Sequence, residues 1–505
     1  MTISLPTACP SPLLTLQRLS EMIGSRLRIQ ELLPATLLLL TVASGPAQAA
    51  ALPGPSWETG TYRNLFTENG YPQVQVTAKL QNAYRSLFEG DSANERVYYK
   101  VGQTMGYILD VGNGDVRSEG QSYGMMIAVQ MDKKDVFDRL WTFAKTHMQH
   151  TQERADRGEQ GSKGMLGFFA WQINVPQFTM KDRGNAPDGE VYFTTSLLMA
   201  ARRWGNGTGI YNYQAEAEFI LKEMADKPIQ EYGTYFPMID SATKLIVFGT
   251  RYSTNAAFTD PSYHLPAFAR LWAKWTPKGA YWNQVADSSV SYLKRGTHPV
   301  TGLATEYQYF TGAPYQASWN TKSSHFAMDS WRVAMNIALD HAWFGTDPWH
   351  ASQSERMLSF FDKQGDYMQY YTQDGKVLTG ENYPANEALK TMNATAALAL
   401  PVGSPLGKKF IDDLWSVEPP TGKWRYYNGM LHMLGMLACS GEYRIWGGEV
   451  PTGIAENSRR QAELLRSSTR VFRPDGRRLI SVSSRGALGS VSSTSGNGAE
   501  VRITP

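Results

Sequence analysis

Five carboxylates stand just ahead of apolar stretches of helical period: Glu119, Asp188, Asp260, Asp329 and Glu387. One acid in such a place satisfies free N–H groups and the positive end of a helix dipole. Five in a repeated setting exceed what capping needs. If the stretches run parallel, their starts gather at one mouth and the acids ring a single cleft. Two carboxyls on opposite sides of a bound sugar are what glycoside hydrolysis requires. One is protonated and donates to the leaving oxygen; the other is ionised and takes a proton from water.

The apolar stretches are of two alternating kinds. Val76-Leu80-Ala83-Leu87 and Val136-Leu140-Phe143 carry charge on one face, as does the segment of Phe219 and Ile220. Others of this kind begin near Trp282, Gln353 and Lys408. Residues 122–129, 192–201, 265–273, 331–339, 389–400 and 427–438 are apolar or small nearly all round. A helix with one wet face belongs outside, and one apolar all round belongs inside. Six of each in alternation predict an all-α fold, an (α/α)6 barrel of six outer and six inner helices. Strand-type alternation is scarce, and residues 110–115 and 182–188 read as loops.

The composition is that of a globular chain of 505 residues, 42% hydrophobic and 19% charged, which excludes wholesale disorder and fibrous classes. The net charge of +3 is too small to argue for nucleic acid and resides in the tail. Residues 451–505 hold nine Arg and four acids, leaving 1–450 mildly negative at −2. Fourteen Trp, 26 Tyr and 20 Phe supply core and suit a carbohydrate cleft. No phosphate loop, dinucleotide fingerprint, HExxH zinc motif or GxSxG elbow occurs. His147 and His150, three apart, read as solvated or packed rather than as metal ligands. The chemistry is therefore expected to rest on carboxylates, aromatics and Arg, with no cofactor and no metal.

Residues 1–49 read as a secretory signal peptide. The apolar run 32–43 follows Arg26 and Arg28, precedes Ala47-Gln48-Ala49, and is too short to span a bilayer. Met22 is an alternative start. Once the signal is removed Cys439 is the only cysteine, so no internal disulfide forms. The catalytic domain is placed at 50–450. Residues 451–505 are Ser-, Gly- and Arg-rich and read as a linker with a tail or small β module. A secreted or periplasmic monomer is expected, without a membrane span.

Four stretches carry a family resemblance: Ser118-Glu119-Gly120-Gln121-Ser122-Tyr123-Gly124; Asn185-Ala186-Pro187-Asp188-Gly189-Glu190; Asp260-Pro261-Ser262-Tyr263-His264-Leu265-Pro266; and His325-Phe326 with Asp329-Ser330 and Arg332. In type, order and spacing they resemble glycoside hydrolase family 8, nearest its xylan-acting branch with the reducing-end xylose-releasing exo-oligoxylanases. The likeness runs from about Asn64 to Ile445. It implies an (α/α)6 barrel and inverting cleavage of β-1,4-xylosidic bonds. Glu119 matches the general acid and Asp329 the general base. Asp188 matches a carboxylate holding the distorted sugar, and Tyr263 a tyrosine placing the attacking water. Arg332 is expected beside Asp329, keeping it ionised. Trp171 is a candidate stacking platform. Tyr192 is expected, with Tyr263, Arg332 and Trp171, to bind substrate. Glu119 and Asp329 are expected roughly 6.5–9.5 Å apart. Exo-acting members carry a Leu-His-Pro triplet where this chain reads Glu381-Asn382-Tyr383-Pro384, which leaves endo against exo action open. A β-glucanase or chitosanase of the same family, and a non-catalytic carbohydrate-binding protein, are the competing readings.

Overall fold

The computed structural model describes residues 54–230 and 233–447. The expected signal peptide and the expected tail or β module lie outside the described residues. Twelve long helices alternate as the apolar pattern predicts. The six with a wet face are α1 (Gln73–Glu89), α3 (Lys134–Phe143), α5 (Tyr213–Asp226), α7 (Gly279–Gly296), α9 (Trp349–Gln364) and α11 (Pro405–Ser416). The six between and after them are α2 (Ser118–Gln130), α4 (Pro187–Trp204), α6 (Pro266–Trp275), α8 (Val333–Phe344), α10 (Glu387–Thr395) and α12 (Arg425–Cys439). Every residue of α2 except Glu119 is buried, whereas α1 buries one face through Val76, Leu80, Ala83, Tyr84 and Leu87.

The buried helices contact one another in chain order, α2 with α4, α4 with α6, α6 with α8, α8 with α10, α10 with α12, and α12 returns to α2. Each wet-faced helix from α3 to α11 packs on an inner neighbour. Between α3 and α2, the outer helix buries Phe137, Leu140 and Trp141 completely. Each such side chain contributes roughly 1.5–3 kcal/mol of transfer free energy. Asn386 caps α10 by accepting from Leu389 N at 3.0 Å, and Ser404 caps α11 by accepting from Gly407 N at 3.2 Å.

Two features depart from the sequence reading. An antiparallel sheet in the order β1-β2-β3-β4-β5 is present: β1 (Tyr98–Val101), β2 (Met105–Asp110), β3 (Asp115–Arg117), β4 (Gln172–Asn174) and β5 (Met180–Asp182). Of residues 110–115, read as a loop, Asp110 and Asp115 pair as the last and first residues of β2 and β3, and 111–114 form the hairpin turn. Most of these strands are too short to show a period of two. Inner helices also begin earlier than their apolar runs. Ser118 and Pro187 open α2 and α4, so Glu119 and Asp188 lie inside the first turn. A polar first turn facing a cleft reads as loop in sequence, although Pro at the first helical position is a start signal.

Candidate active site

Strand β3 runs directly into α2. Pairing of Arg117 with Gln172 and donation from Ser118 N to Trp171 O at 3.1 Å set Glu119 beside Trp171. The surrounding motif has a mechanical reading. The Gln121 amide donates to Gly106 O at 3.1 Å and Leu140 O at 2.8 Å and accepts from Ile108 N at 3.0 Å, clamping α2 to the sheet and α3. A Cβ on residue 120 would come within 2.4 Å of the Tyr426 ring, so glycine there lets Tyr426 cross α2. The Tyr426 hydroxyl then donates to Glu119 Oε1 at 2.9 Å. A Cβ on residue 189 would lie 2.8 Å from Ser118 Cβ, so glycine there lets α2 and α4 approach closely enough to align their acids.

Arg332 is the centre of the cluster. It ends the 3-10 turn Met328–Arg332 that leads into α8, and only 4% of its side chain is exposed. One terminal nitrogen contacts Glu119 Oε2 at 3.1 Å, Asp188 Oδ2 at 2.8 Å and the Tyr123 hydroxyl at 2.6 Å. The other lies 2.8 Å from Asp329 Oδ1 and 3.7 Å from Asp260 Oδ2. Burial alone lowers the pKa of Arg332; Tyr123, Tyr427, Asp329 and Asp188 outweigh it and hold the group charged. Glu119 and Asp329 thus touch different nitrogens of one rigid, planar guanidinium. Their nearest oxygens stand no more than about 8 Å apart.

A single cation cannot neutralise so many acids, and their protonation divides accordingly. Burial raises the Glu119 pKa to about 7, with Arg332 pulling it down and Asp188 and Asp329 pushing it up. Burial also raises Asp188, against its contact with Arg332. Asp260 is fully buried, and burial and then Asp329 drive its carboxyl well above the usual range. Its Oδ1 accepts from Ser262 N at 2.7 Å while Oδ2 has no hydrogen-bond partner. Asp329 is the most open of the four acids touching Arg332, with 26% of its side chain exposed. The site therefore places an acid that holds its proton near neutrality beside the more exposed Asp329, with Arg332 between them.

Glu119, Asp188, Asp329, Arg332, Tyr263 and Trp171 all line one cleft of about 540 Å³, walled further by Phe248, Tyr252, Tyr307 and Trp319. Trp171, half-buried, stands on that wall rather than in the core, with the Arg117 guanidinium 5.6 Å from its ring centroid. The Tyr263 hydroxyl, pushed well above its usual pKa by burial and then by Asp188, keeps its proton.

Two sequence expectations are corrected. Tyr192 does not reach the cleft: it is 3% exposed, packs on Tyr123 at 4.4 Å between ring centroids and meets Phe268 edge-on at 5.1 Å. It supports Tyr123, which in turn donates no direct wall to the cleft but touches Arg332. Glu387 stands apart from the Arg332 cluster and accepts from Asn428 Nδ2 at 3.0 Å. Of the five acids only Asp260 caps a helix, the short turn Pro261–Tyr263.

Sequence reading missed Tyr123, Tyr426 and Glu306. Glu306 lies between α7 and α8, accepts from Asn320 Nδ2 at 2.8 Å, and is raised by burial and by Asp329 to about 7. Tyr123 sat inside a quoted motif, and its recurrence one turn after Glu119 was the available signal. His150, expected on an outer helix, is instead a buried loop residue, with Nε2 2.9 Å from Arg183 O and its pKa lowered by burial to about 4.

Arg332→Met is expected to cost roughly 3–5 kcal/mol of stability, because it leaves the buried Asp188 and the part-buried Glu119 and Asp329 without their cation. Those acids then gain protons more readily, so the deficit in Tm is largest above pH 7 and shrinks toward pH 5. Thermal unfolding across that range, against the parent, checks it.

The family model of glycosyl hydrolases family 8 matches residues 102–441. The chain is 40% identical over 395 residues to the reducing-end xylose-releasing exo-oligoxylanase Rex8A of Paenibacillus barcinonensis, covering 77% of this chain and 98% of that protein. It is 39% identical to the reducing end xylose-releasing exo-oligoxylanase of Halalkalibacterium halodurans, with 77% and 95% covered. A solved GH8 xylobiose complex from Teredinibacter turnerae superimposes with a TM-score of 0.71 at 41% identity, over 77% of this chain and 98% of that one.

Proposed function

The chain belongs to glycosyl hydrolase family 8, and from that premise we propose that it hydrolyses β-1,4-xylosidic bonds of xylo-oligosaccharides with inversion, releasing xylose from the reducing end. It is a glycoside hydrolase. The closed order of contacts among six buried helices supports reading its fold as an (α/α)6 barrel. The N-terminal sequence supports a secreted or periplasmic enzyme.

The observation that carries the mechanism is the shared guanidinium. Arg332 sets Glu119 and Asp329 on two of its nitrogens at 3.1 and 2.8 Å, in one cleft wide enough for sugar rings. In the proposed reaction Glu119 gives its proton to the glycosidic oxygen as the bond to the anomeric carbon breaks. Asp329 takes a proton from the water that attacks that carbon from the opposite face. Asp188 and Tyr263, on the same wall, hold the distorted sugar and the water. Arg332 holds Asp329 and Asp188 in place. Trp171 offers a ring face to a neighbouring sugar.

Timed product analysis on unreduced and borohydride-reduced xylotriose tests this reading. Xylose is the expected first product from the unreduced trimer, with the reduced trimer cleaved far more slowly because its modified end no longer fits. Equal rates on both, or early products of mixed length from longer oligomers, would contradict reducing-end action.

A further inference from the structure

The cleft is one of several cavities among the described residues. One of about 690 Å³ opens between the end of α1, the strand β1 and the start of α3. Three cations face it, Arg96, Lys100 and Lys133, and none of them has an ion-pair partner among the described residues. Two acids, Glu89 and Asp135, stand exposed on the same wall. Tyr98 lines the cavity while only 5% exposed, and its hydroxyl finds no hydrogen-bond partner; neither does Arg96 Nε. The Lys133 ammonium lies 5.0 Å from the Tyr84 ring centroid and the Arg96 guanidinium 5.1 Å from that of Tyr99, so the cations rest on aromatic faces rather than on carboxylates.

Buried donors without partners are costly unless something supplies an acceptor. The exposed carboxylates on the same wall add acceptors beside them. An anion suits the cations but meets Glu89 and Asp135; an apolar ligand leaves both sets desolvated. A polyhydroxylated molecule donates and accepts at once and packs its C–H faces on tyrosine rings. Position adds a reason. Strand β1 borders this cavity, β3 leads to Glu119, and only β2 lies between them. A chain held at one is close to the other.

We propose that this cavity is a second carbohydrate-binding site, which holds a segment of a β-1,4-xylan chain outside the cleft without cleaving it. The inference rests on the functional reading above, since it assigns the same sugar to both sites. Holding the polymer raises the effective concentration of chain ends at the cleft and adds nothing for substrates too short to span both.

The test titrates xylohexaose into the full chain carrying Glu119→Gln, by calorimetry. Two molecules bound per chain are expected, the weaker losing at least fivefold in affinity on Lys133→Ala or Tyr98→Phe, with the tighter unchanged. Tyr98→Phe removes only a hydroxyl that has no partner, so the fold is retained. In the chain with Glu119 intact, Lys133→Ala is expected to cleave xylotriose at the parent rate and insoluble xylan several-fold more slowly. One site in the parent, or a second site indifferent to both substitutions, overturns the proposal while the intact chain still hydrolyses xylotriose. A chain that hydrolyses no xylo-oligosaccharide overturns the functional reading and this inference with it.

Discussion

Glu119→Gln is expected to lower kcat on xylo-oligosaccharides by roughly 10²–10⁴-fold, the usual contribution of a positioned proton donor. The amide is nearly isosteric and can still accept from Tyr426, which donates to Glu119 Oε1 at 2.9 Å, so fold and substrate binding are retained. The loss depends on the leaving group. A β-xylobiosyl fluoride, whose small leaving group departs with little need of protonation, keeps much of its rate, whereas the natural linkage does not. The pH profile carries the same signature. Burial, with Asp188 and Asp329, raises Glu119 to about 7 against the pull of Arg332. The proton it must donate is present below that value and lost above it. Wild-type activity on the natural linkage therefore falls as pH rises through about 7, and the variant on the fluoride lacks that limb. A variant with near-parental turnover of xylotriose would remove Glu119 from the mechanism.

Asp329→Asn is expected to reduce kcat by a similar factor, roughly 10²–10⁴, with little change in KM, because the base acts on water rather than on the resting sugar. Asn can still accept from the Arg332 nitrogen that lies 2.8 Å from Asp329 Oδ1. The substitution has a second consequence. The negative charge of Asp329 is one of the influences raising Glu119. Removing it lowers the Glu119 pKa, so the alkaline limb of the residual activity moves to lower pH. Removal of a group that only packs leaves that limb in place. Initial rates of the variant from pH 5 to pH 9, set against the parent, read both effects.

How much of this was legible in the sequence follows from local against distant physics. The alternation of wet-faced and fully apolar segments is local, and it is realised in α1 to α12. Acids ahead of apolar runs are local too, and Glu119, Asp188, Asp260 and Asp329 converge on Arg332. Glu387 shares the local pattern but not the location, because α10 turns that side chain to Asn428. The sheet was missed since β3, β4 and β5 have three residues each, and only β2 alternates long enough to read, burying Gly106, Ile108 and Asp110. The cleft walls Phe248, Tyr252, Tyr307 and Trp319 come from the long connections before α6 and α8, where no period exists to follow. Tyr426 stands one residue ahead of the apolar run 427–438, and its bond to Glu119 spans 307 residues. Tyr192 was misplaced for a related reason: helical period gives a face, but which ring tops the stack depends on the neighbouring helix.

The placement of Glu119 and Asp329 on opposite sides of one sugar, with room for a water molecule, is tested most directly by the anomer of the fresh product. Proton NMR within the first minutes of wild-type hydrolysis of a β-linked xylo-oligosaccharide, before mutarotation, reads it. The new reducing end is expected as the α-anomer, since water enters from the face opposite the departing sugar. A β-anomer would mean two displacements through an enzyme-bound sugar and would contradict the account.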